Sequence, residues 1–376
     1  MQWNRKLINN LNWYIPLSVL LLIIIGMIAI SSALEINKVD SSGMIALQRQ
    51  VVAVMLGIIL IIANLFFDYR VFKYYSDIIF LSTAGILVVI LVIGRTSSGW
   101  INLGLINFQP SELAKIVLIL VLAGVIDDNQ DELQYLIGFF KPITYALIPF
   151  VLVLLQNDLG TSLVFLAILI GMLFAGGANG RFMLLIFGGG LLVIIGFILC
   201  HFWFDTPLFF LKEYQLNRLV VFINPGVDPI GIGYNLIQSK IALGSGQLIG
   251  KGLFAGTQNQ LHFLPEKHTD FIFSVIGEEF GFLGVVLVIL IYLLLLWQML
   301  NVARKARDNY GRLVVIGISS MFFFHIFENI GMTMGLMPIT GLPLPFISYG
   351  GNSMISSLLA IGLVININIR RKKILF

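Results

Sequence analysis

From Phe263 to Gly281 the chain reads FLPEKHTDFIFSVIGEEFG, so Glu266, Lys267, His268, Asp270, Glu278 and Glu279 abut an apolar stretch long enough to cross a bilayer. Ionisable side chains at the edge of a hydrocarbon layer cost several kcal/mol unless they are paired or face water, which makes them poor filler. A carboxylate held there can take a proton from a hydroxyl, and neighbouring cations can steady a developing anion. A site reached from the membrane surface suits a lipid-linked substrate. The competing reading of Asp270 is a helix N-cap, since Asp before an apolar helix accepts backbone hydrogen bonds and complements the dipole. On the residues alone the two readings are about even.

The elements that must position these residues follow from composition. Of the 376 residues 58% are hydrophobic, 11% are charged and 30 are Phe, with a mean hydropathy of +0.97. No soluble domain of this size has that balance. Cys200 is the single cysteine, so no disulfide framework exists, and a net charge of +4 forms no basic stripe for nucleic acid. The first apolar run, Trp13 to Leu34, has the length of a span rather than of a cleavable signal core. Apolar runs near 13–34, 46–67, 76–94, 111–126, 142–155, 159–176, 182–203, 270–298, 312–335 and 345–368 predict ten transmembrane helices in one all-α domain covering residues 1–376. The fifth and sixth runs are short and separated by Gln156, Asn157 and Asp158, so a re-entrant pair is the alternative there.

Lys and Arg in the short loops set the orientation. With the N-terminus in the cytoplasm, Arg5, Lys6, Arg70, Lys73, Lys141, Arg181, Arg304, Lys305, Arg307, Arg312 and Arg370 to Lys373 lie inside, against Lys38 and Arg95 outside. Both termini are then cytoplasmic, and the long segment 204–269, between the seventh and eighth helices, is an extracytoplasmic loop. Its part from Tyr214 to Gly256 mixes apolar and basic residues without a span-length core, as an interfacial or partner-binding surface would.

Four polar or turn-forming segments then share the outer face: QPSE at Gln109 to Glu112, QNDLGTS at Gln156 to Ser162, the long loop ending at Asp270, and PITGLPLPFISYGG at Pro338 to Gly351, which contains Ser348. Inner loops hold charge runs such as DDNQDE at Asp127 to Glu132, expected to be a solvated face. Lys115, about one turn from Glu112 in a membrane helix, should pair with it or point into a cavity. Glu112 and Asp158 are evenly balanced between lining a substrate groove and bracing the structure. The Pro- and Gly-rich loop is equally a substrate-lining segment or a tight interhelical turn. Glu278 is placed near the face of Asp270, roughly 12 Å deeper at 1.5 Å per residue.

QPSELAK, QNDLGT, the run from Tyr234 to Glu279 and GLPLPFISYGGNS together resemble the SEDS family (shape, elongation, division, sporulation), the peptidoglycan polymerases of RodA and FtsW type. QSKIALGSGQLIGKG followed by GTQNQLHFLPE resembles the elongation-type branch more than the division-type branch. The resemblance implies ten spans and polymerisation of lipid II, the undecaprenyl-diphosphate-linked disaccharide peptide, outside the cytoplasmic membrane for cell wall and cell shape. It also implies a class B penicillin-binding protein as partner, and it puts the family's essential carboxylate, proposed as the general base, on Asp270. A sugar bearing a diphosphate already has a good leaving group, so one base can suffice, unlike glycoside hydrolysis with its second carboxylic acid.

The diphosphate calls for positive charge, and the outer candidates are Arg218, Lys240, Lys251, Lys267 and His268, with Lys115 just inside. No metal-ligand set is assigned, and a divalent cation, Mg or Mn, remains an option on the diphosphate. One departure stands out: where many relatives carry Arg immediately before Trp100, this chain has Gly99, which leaves open whether Arg95 takes that role. The competing readings are a lipid II flippase, which should show polar features on both faces, and a solute transporter, which should show paired broken helices near the midplane. A non-catalytic scaffold of the cell-wall synthesis complex would tolerate loss of Asp270.

Overall fold

The computed structural model describes residues 11–34, 41–93, 99–102, 107–204, 213–261 and 263–371. Arg5, Lys6, Lys38, Arg95, Lys372 and Lys373, used above for orientation or as substitutes, lie outside the described residues. The fold is helical throughout: α1 Tyr14–Ala33, α2 Ser41–Phe66, α3 Arg70–Ile93, α4 Pro110–Asp128, α5 Phe140–Leu155, α6 Leu159–Ala175, then α7 Gly180–Met183 running through a π-turn into α8 Gly189–Phe204. The long loop adds α9 Glu213–Ile223, α10 Ile232–Ser245 and a single turn α11 Thr257–Gln260, followed by α12 Ile272–Arg304, α13 Asn309–Met334 and α14 Gly351–Ile369. A two-residue antiparallel ladder pairs Ile101–Asn102 with Asn107–Phe108.

Every predicted apolar run coincides with a helix, and among the described residues eight helices, against the ten runs, are long and apolar enough by length and composition to cross a membrane. The two that fall short are α6, with 17 residues, and α4, which carries Glu112, Lys115, Asp127 and Asp128. The short fifth run reaches spanning length because a 3-10 turn extends it back to Leu136. Buried residues concentrate on α4, α6, α12, α13 and α14, and the window Gly180–Phe197 buries none of its residues in the protein. Exposed Leu, Ile, Val and Phe on the peripheral helices make the apolar exterior that a bilayer would solvate. At one end of the bundle Asp127 and Asp128 are not merely solvated: both reach Lys73, at 2.6 and 2.8 Å, because the C-terminus of α4 lies against α3.

Helix α12 is broken at Gly281, whose φ of 65° and ψ of −164° interrupt the hydrogen-bond ladder. The loop after α10 repairs it. Lys251 N and Gly252 N donate to the carbonyls of Glu278 and Glu279, each at 3.0 Å, while Phe282 N and Leu283 N donate to those of Gln247 and Leu248 at 2.8 and 3.1 Å. Backbone left unpaired beside apolar surroundings is tolerated only where protein covers it, and this splice supplies the cover. The approach excludes side chains: a Cβ on Gly246 would lie 1.9 Å from Gly277 O, and one on Gly281 2.3 Å from Gly250 N. Part of the loop expected to be an interfacial surface is thus packed backbone against α12, with Ile230, Leu248 and Ile249 left exposed.

The Gly281 conformation belongs to a region essentially reserved for glycine, at about 1–3 kcal/mol of strain for other residues, and the clash adds to it. Gly281→Ala should therefore lose at least about 2 kcal/mol of stability, measured as a lowered thermal unfolding midpoint in detergent. An unchanged midpoint would contradict this account of the splice.

Candidate active site

Asp270 sits in the turn that leads into α12. Glu266 opens that turn in the left-handed region (φ 48°), which few non-glycine residues adopt. Its carbonyl accepts from Thr269 N at 3.2 Å and Phe271 N at 3.3 Å. Phe271, not Asp270, occupies the N-cap position of α12, and no side chain caps that end. The N-cap reading of Asp270 is therefore incorrect, because the helix starts one residue too late for it.

Three consecutive carbonyls of this turn are pinned from outside. Tyr349 N donates to His268 O at 2.9 Å, Ser348 Oγ to Thr269 O at 2.7 Å, and Asn329 Nδ2 to Asp270 O at 3.0 Å. Asn329 Nδ2 also reaches Leu342 O at 2.7 Å, so one α13 side chain ties the turn to the loop before α14. With its main chain fixed, Asp270 presents a partly buried carboxylate. Gly341 (φ 78°) leaves it room, since a Cβ there would come to 3.3 Å of Asp270 Oδ2. Burial, and next the Glu266 charge, raise the Asp270 carboxyl to about 6, against the opposing pull of Arg218 and a hydrogen bond from Thr269. A carboxylate in that range is a competent base near neutrality.

Arg218, on α9, is the predicted cation that arrives beside Asp270: its Nη1 donates to Thr340 O at 3.1 Å and its guanidinium lies 5.8 Å from the Tyr214 ring centre. His268 packs on the Tyr349 ring at 5.5 Å, and burial lowers its pKa, which favours the neutral imidazole. The other candidates do different work. Ser348 also accepts from Leu344 N at 2.8 Å, which makes it a brace of the turn. Lys267 turns inward to Asn259 O at 2.5 Å. Lys251 pairs with Glu278 at 2.7 Å and reaches Thr257 Oγ1 at 2.7 Å.

Glu278 also accepts from Gln258 N at 2.9 Å and Asn259 N at 3.3 Å, so it holds the start of α11 rather than facing Asp270. Glu279 receives Ser32 Oγ and the Asn259 amide. Asp158 caps α6 through Thr161 N at 2.9 Å and takes Gln109 Nε2 at 3.2 Å. Lys240 extends from α10 over Gly335, the C-cap of α13, where a cation complements the dipole. Gly99, which precedes Trp100, has φ 74°, and a Cβ there would lie 2.8 Å from Gln156 Oε1, so a larger side chain is strained at this position.

Deeper in the bundle, Lys115 Nζ meets Glu112 Oε1 at 2.8 Å and His325 Nε2 at 3.1 Å, and Ser356 Oγ donates to Glu112 Oε2 at 2.7 Å. His325 Nδ1 lies 3.3 Å from Pro343 O, which connects this network to the same Pro- and Gly-rich loop. No motif marks His325, Asn329 or Glu328. For His325 and Glu328 a signal exists all the same, because an ionisable residue inside an apolar run is itself a pointer.

These features describe a multi-pass membrane protein with one partly buried carboxylate at the mouth of its helix bundle and a cation beside it. The chain belongs to the FtsW/RodA/SpoVE family of cell cycle proteins, whose model matches residues 12–373. It is 40% identical over 353 residues to the probable peptidoglycan glycosyltransferase FtsW of Geobacter sp. (strain M18), covering 92% of this chain and 93% of that protein. It is 35% identical over 359 residues to the peptidoglycan glycosyltransferase MrdB of Escherichia coli (strain K12), covering 94% and 93%. A solved chain from work on the structural coordination of polymerization and crosslinking by a peptidoglycan synthase complex matches with a TM-score of 0.79 at 29% identity, covering 96% of this chain and 98% of that one.

The Glu112–Lys115 pair is 7% and 2% exposed. Breaking a buried pair on one side leaves an uncompensated charge, at about 3–5 kcal/mol. Lys115→Met should therefore lower the unfolding midpoint strongly, and Glu112→Gln added to it should recover part of the loss. Additive losses in the double variant would show that the pair is not a unit.

Proposed function

We propose that this peptidoglycan glycosyltransferase polymerises lipid II at the outer face of the cytoplasmic membrane, with Asp270 as the general base. An acceptor sugar hydroxyl attacks the anomeric carbon of the donor sugar. The new C–O bond forms as the bond to the undecaprenyl diphosphate breaks, the electron pair leaves with the diphosphate, and Asp270 takes the hydroxyl proton. The observation that carries this reading is a carboxylate freed from capping, fixed by its own backbone and raised towards neutrality. Arg218 is placed to meet the negative charge that develops on the leaving group. A divalent cation, Mg or Mn, would enter with the diphosphate, in keeping with how Mg²⁺ is bound through substrate phosphates.

The Lys and Arg distribution supports both termini in the cytoplasm, which turns the Asp270 end outward. The resemblance of residues 238–266 supports the elongation type, for cell shape, although FtsW-named proteins are also among the relatives. A class B penicillin-binding protein is the expected partner, as the likeness to a chain of a peptidoglycan synthase complex suggests. A second reading, lipid II flippase, has one observation in its favour: a cleft of ≈ 450 Å³ at the other end, lined by Arg70, Lys73, Asp128 and Lys141. Two of those cations are already paired, Lys73 with Asp127 and Asp128 and Arg70 with Asp308 at 3.0 Å.

Asp270→Asn separates these readings. Loss of a general base lowers the polymerisation rate about 10²- to 10⁴-fold, measured with purified lipid II and the partner. Because burial raises the native pKa above its ordinary 3.8, the stabilisation tied to this group is complete below that value and lost as pH rises through about 6. At pH 7.5 the ionised carboxylate is a net cost, so the Asn variant should unfold no earlier than the wild type. Near-normal polymerisation by a folded Asn variant would remove Asp270 from the mechanism, and a wild type that makes no glycan would favour the flippase or the scaffold.

A further inference from the structure

From Ile241 to Gly250, the end of α10 and the turn after it, the chain reads IALGSGQLIG without one ionisable side chain. Leu248 and Ile249 in that turn are 67% and 79% exposed. Adjacent large apolar side chains left bare on a loop mark a surface that something apolar covers. Two backbone bonds fix where the turn lies, since Gln247 O and Leu248 O accept from Phe282 N and Leu283 N, the first residues of α12 beyond its break. Leu283 heads an exposed row, Leu287, Leu290, Leu294 and Trp297, at the alternating four- and three-residue spacing of one helix face. That face belongs to a helix of spanning length and composition, and acyl chains are its natural cover.

We propose that Leu248 and Ile249 are seated in the acyl layer of the leaflet at the Asp270 end, which makes this part of the long loop a membrane-inserted finger. From Phe282 to Arg304 the second piece of α12 extends about 33 Å at 1.5 Å per residue, against a hydrocarbon core of about 30 Å. Its far end carries Arg304, whose guanidinium lies 5.7 Å from the Trp297 ring centre, a pairing of two residue types that favour the membrane interface. Phe282 and Leu283 therefore fall at the opposite edge of the hydrocarbon, and the Leu248 carbonyl is bonded to Leu283 there. Glu278 and its partner Lys251 lie just before the break, on the short first piece and the segment bound to it. Irregular backbone at that depth must be covered, and the splice covers it, with Gly246 and Gly250 allowing the close approach. What faces outward is apolar, and Ile237 and Ile241, exposed on α10, carry the same surface towards the turn. The inference stands whether or not Asp270 is the base.

The test places single cysteines at Leu248 and Ile249 in a Cys200→Ser background, labels them with a bimane fluorophore and reconstitutes the full chain in a bilayer. Leu287→Cys serves as the lipid-facing reference, and Asp131→Cys, on an exposed turn, as the water-facing one. Phosphatidylcholine brominated in its acyl chains should quench the labels at 248 and 249 much as it quenches the label at 287. Their emission should be shifted to the blue of the label at 131, and aqueous iodide should quench them far less than it quenches that label. Labels that respond to iodide as the one at 131 does overturn the proposal. So do labels shielded only when the partner is added, which would make the turn a protein-docking surface, and labels that neither quencher reaches, which would bury it within the chain. Because both side chains are exposed and only backbone atoms join the splice, the cysteine variants should fold, and a failure to fold counts against the proposal as well.

Discussion

Everything at the mouth of the bundle depends on three carbonyls in a row. His268, Thr269 and Asp270 give up their backbone acceptors to Tyr349, Ser348 and Asn329, which come from the loop before α14 and from α13. A turn held at three successive residues has little freedom left in its backbone, so the Asp270 side chain is aimed by the main chain, and the hydrogen bond from Thr269 only partly offsets the rise that burial gives its carboxyl. Precise aim matters because a general base must come within hydrogen-bond reach of the proton it removes. The left-handed conformations at Glu266 and Phe346, on the two segments that meet here, are strain maintained by the same contacts.

The second constraint is the break in α12. An unbroken helix of 33 residues would extend about 50 Å at 1.5 Å per residue, well beyond a hydrocarbon core of about 30 Å. Breaking it at Gly281 separates a short first piece, which carries Asp270 at its entrance, from the long apolar piece behind it. The loop after α10 repairs the break by backbone pairing, and Glu278 clamps α11 from the same first piece. The polar residues that look like a substrate patch in sequence are in large part the fastenings of this assembly.

That division explains what was legible in the chain. Apolar runs located every long helix, because hydropathy over about 20 residues is a collective signal that no single residue can spoil. Its weakness is the boundary case: α4 carries four charges and α6 is short, so among the described residues length and composition support eight spans where ten runs were counted. The junction at Asp270 was legible, and so was the pairing of Lys115 with Glu112, since neighbours one turn apart on a helix must meet. The partners of Lys251, Lys267 and Ser348 were not, because those contacts join segments far apart in sequence. Asp270 as an N-cap failed for a local reason: a single-residue shift in the helix start removes a cap, and boundaries are the least legible feature of a sequence. Asn329 could not have been read as the anchor of Asp270 without the fold.

The central claim is that one raised carboxylate is the base. The most direct measurement is the pH dependence of lipid II polymerisation by the wild-type chain with its partner. With Asp270 at about 6, the rate should fall tenfold for each pH unit well below that value and level off above pH 7. A rate that stays constant from pH 7 down to pH 5 would contradict the assignment.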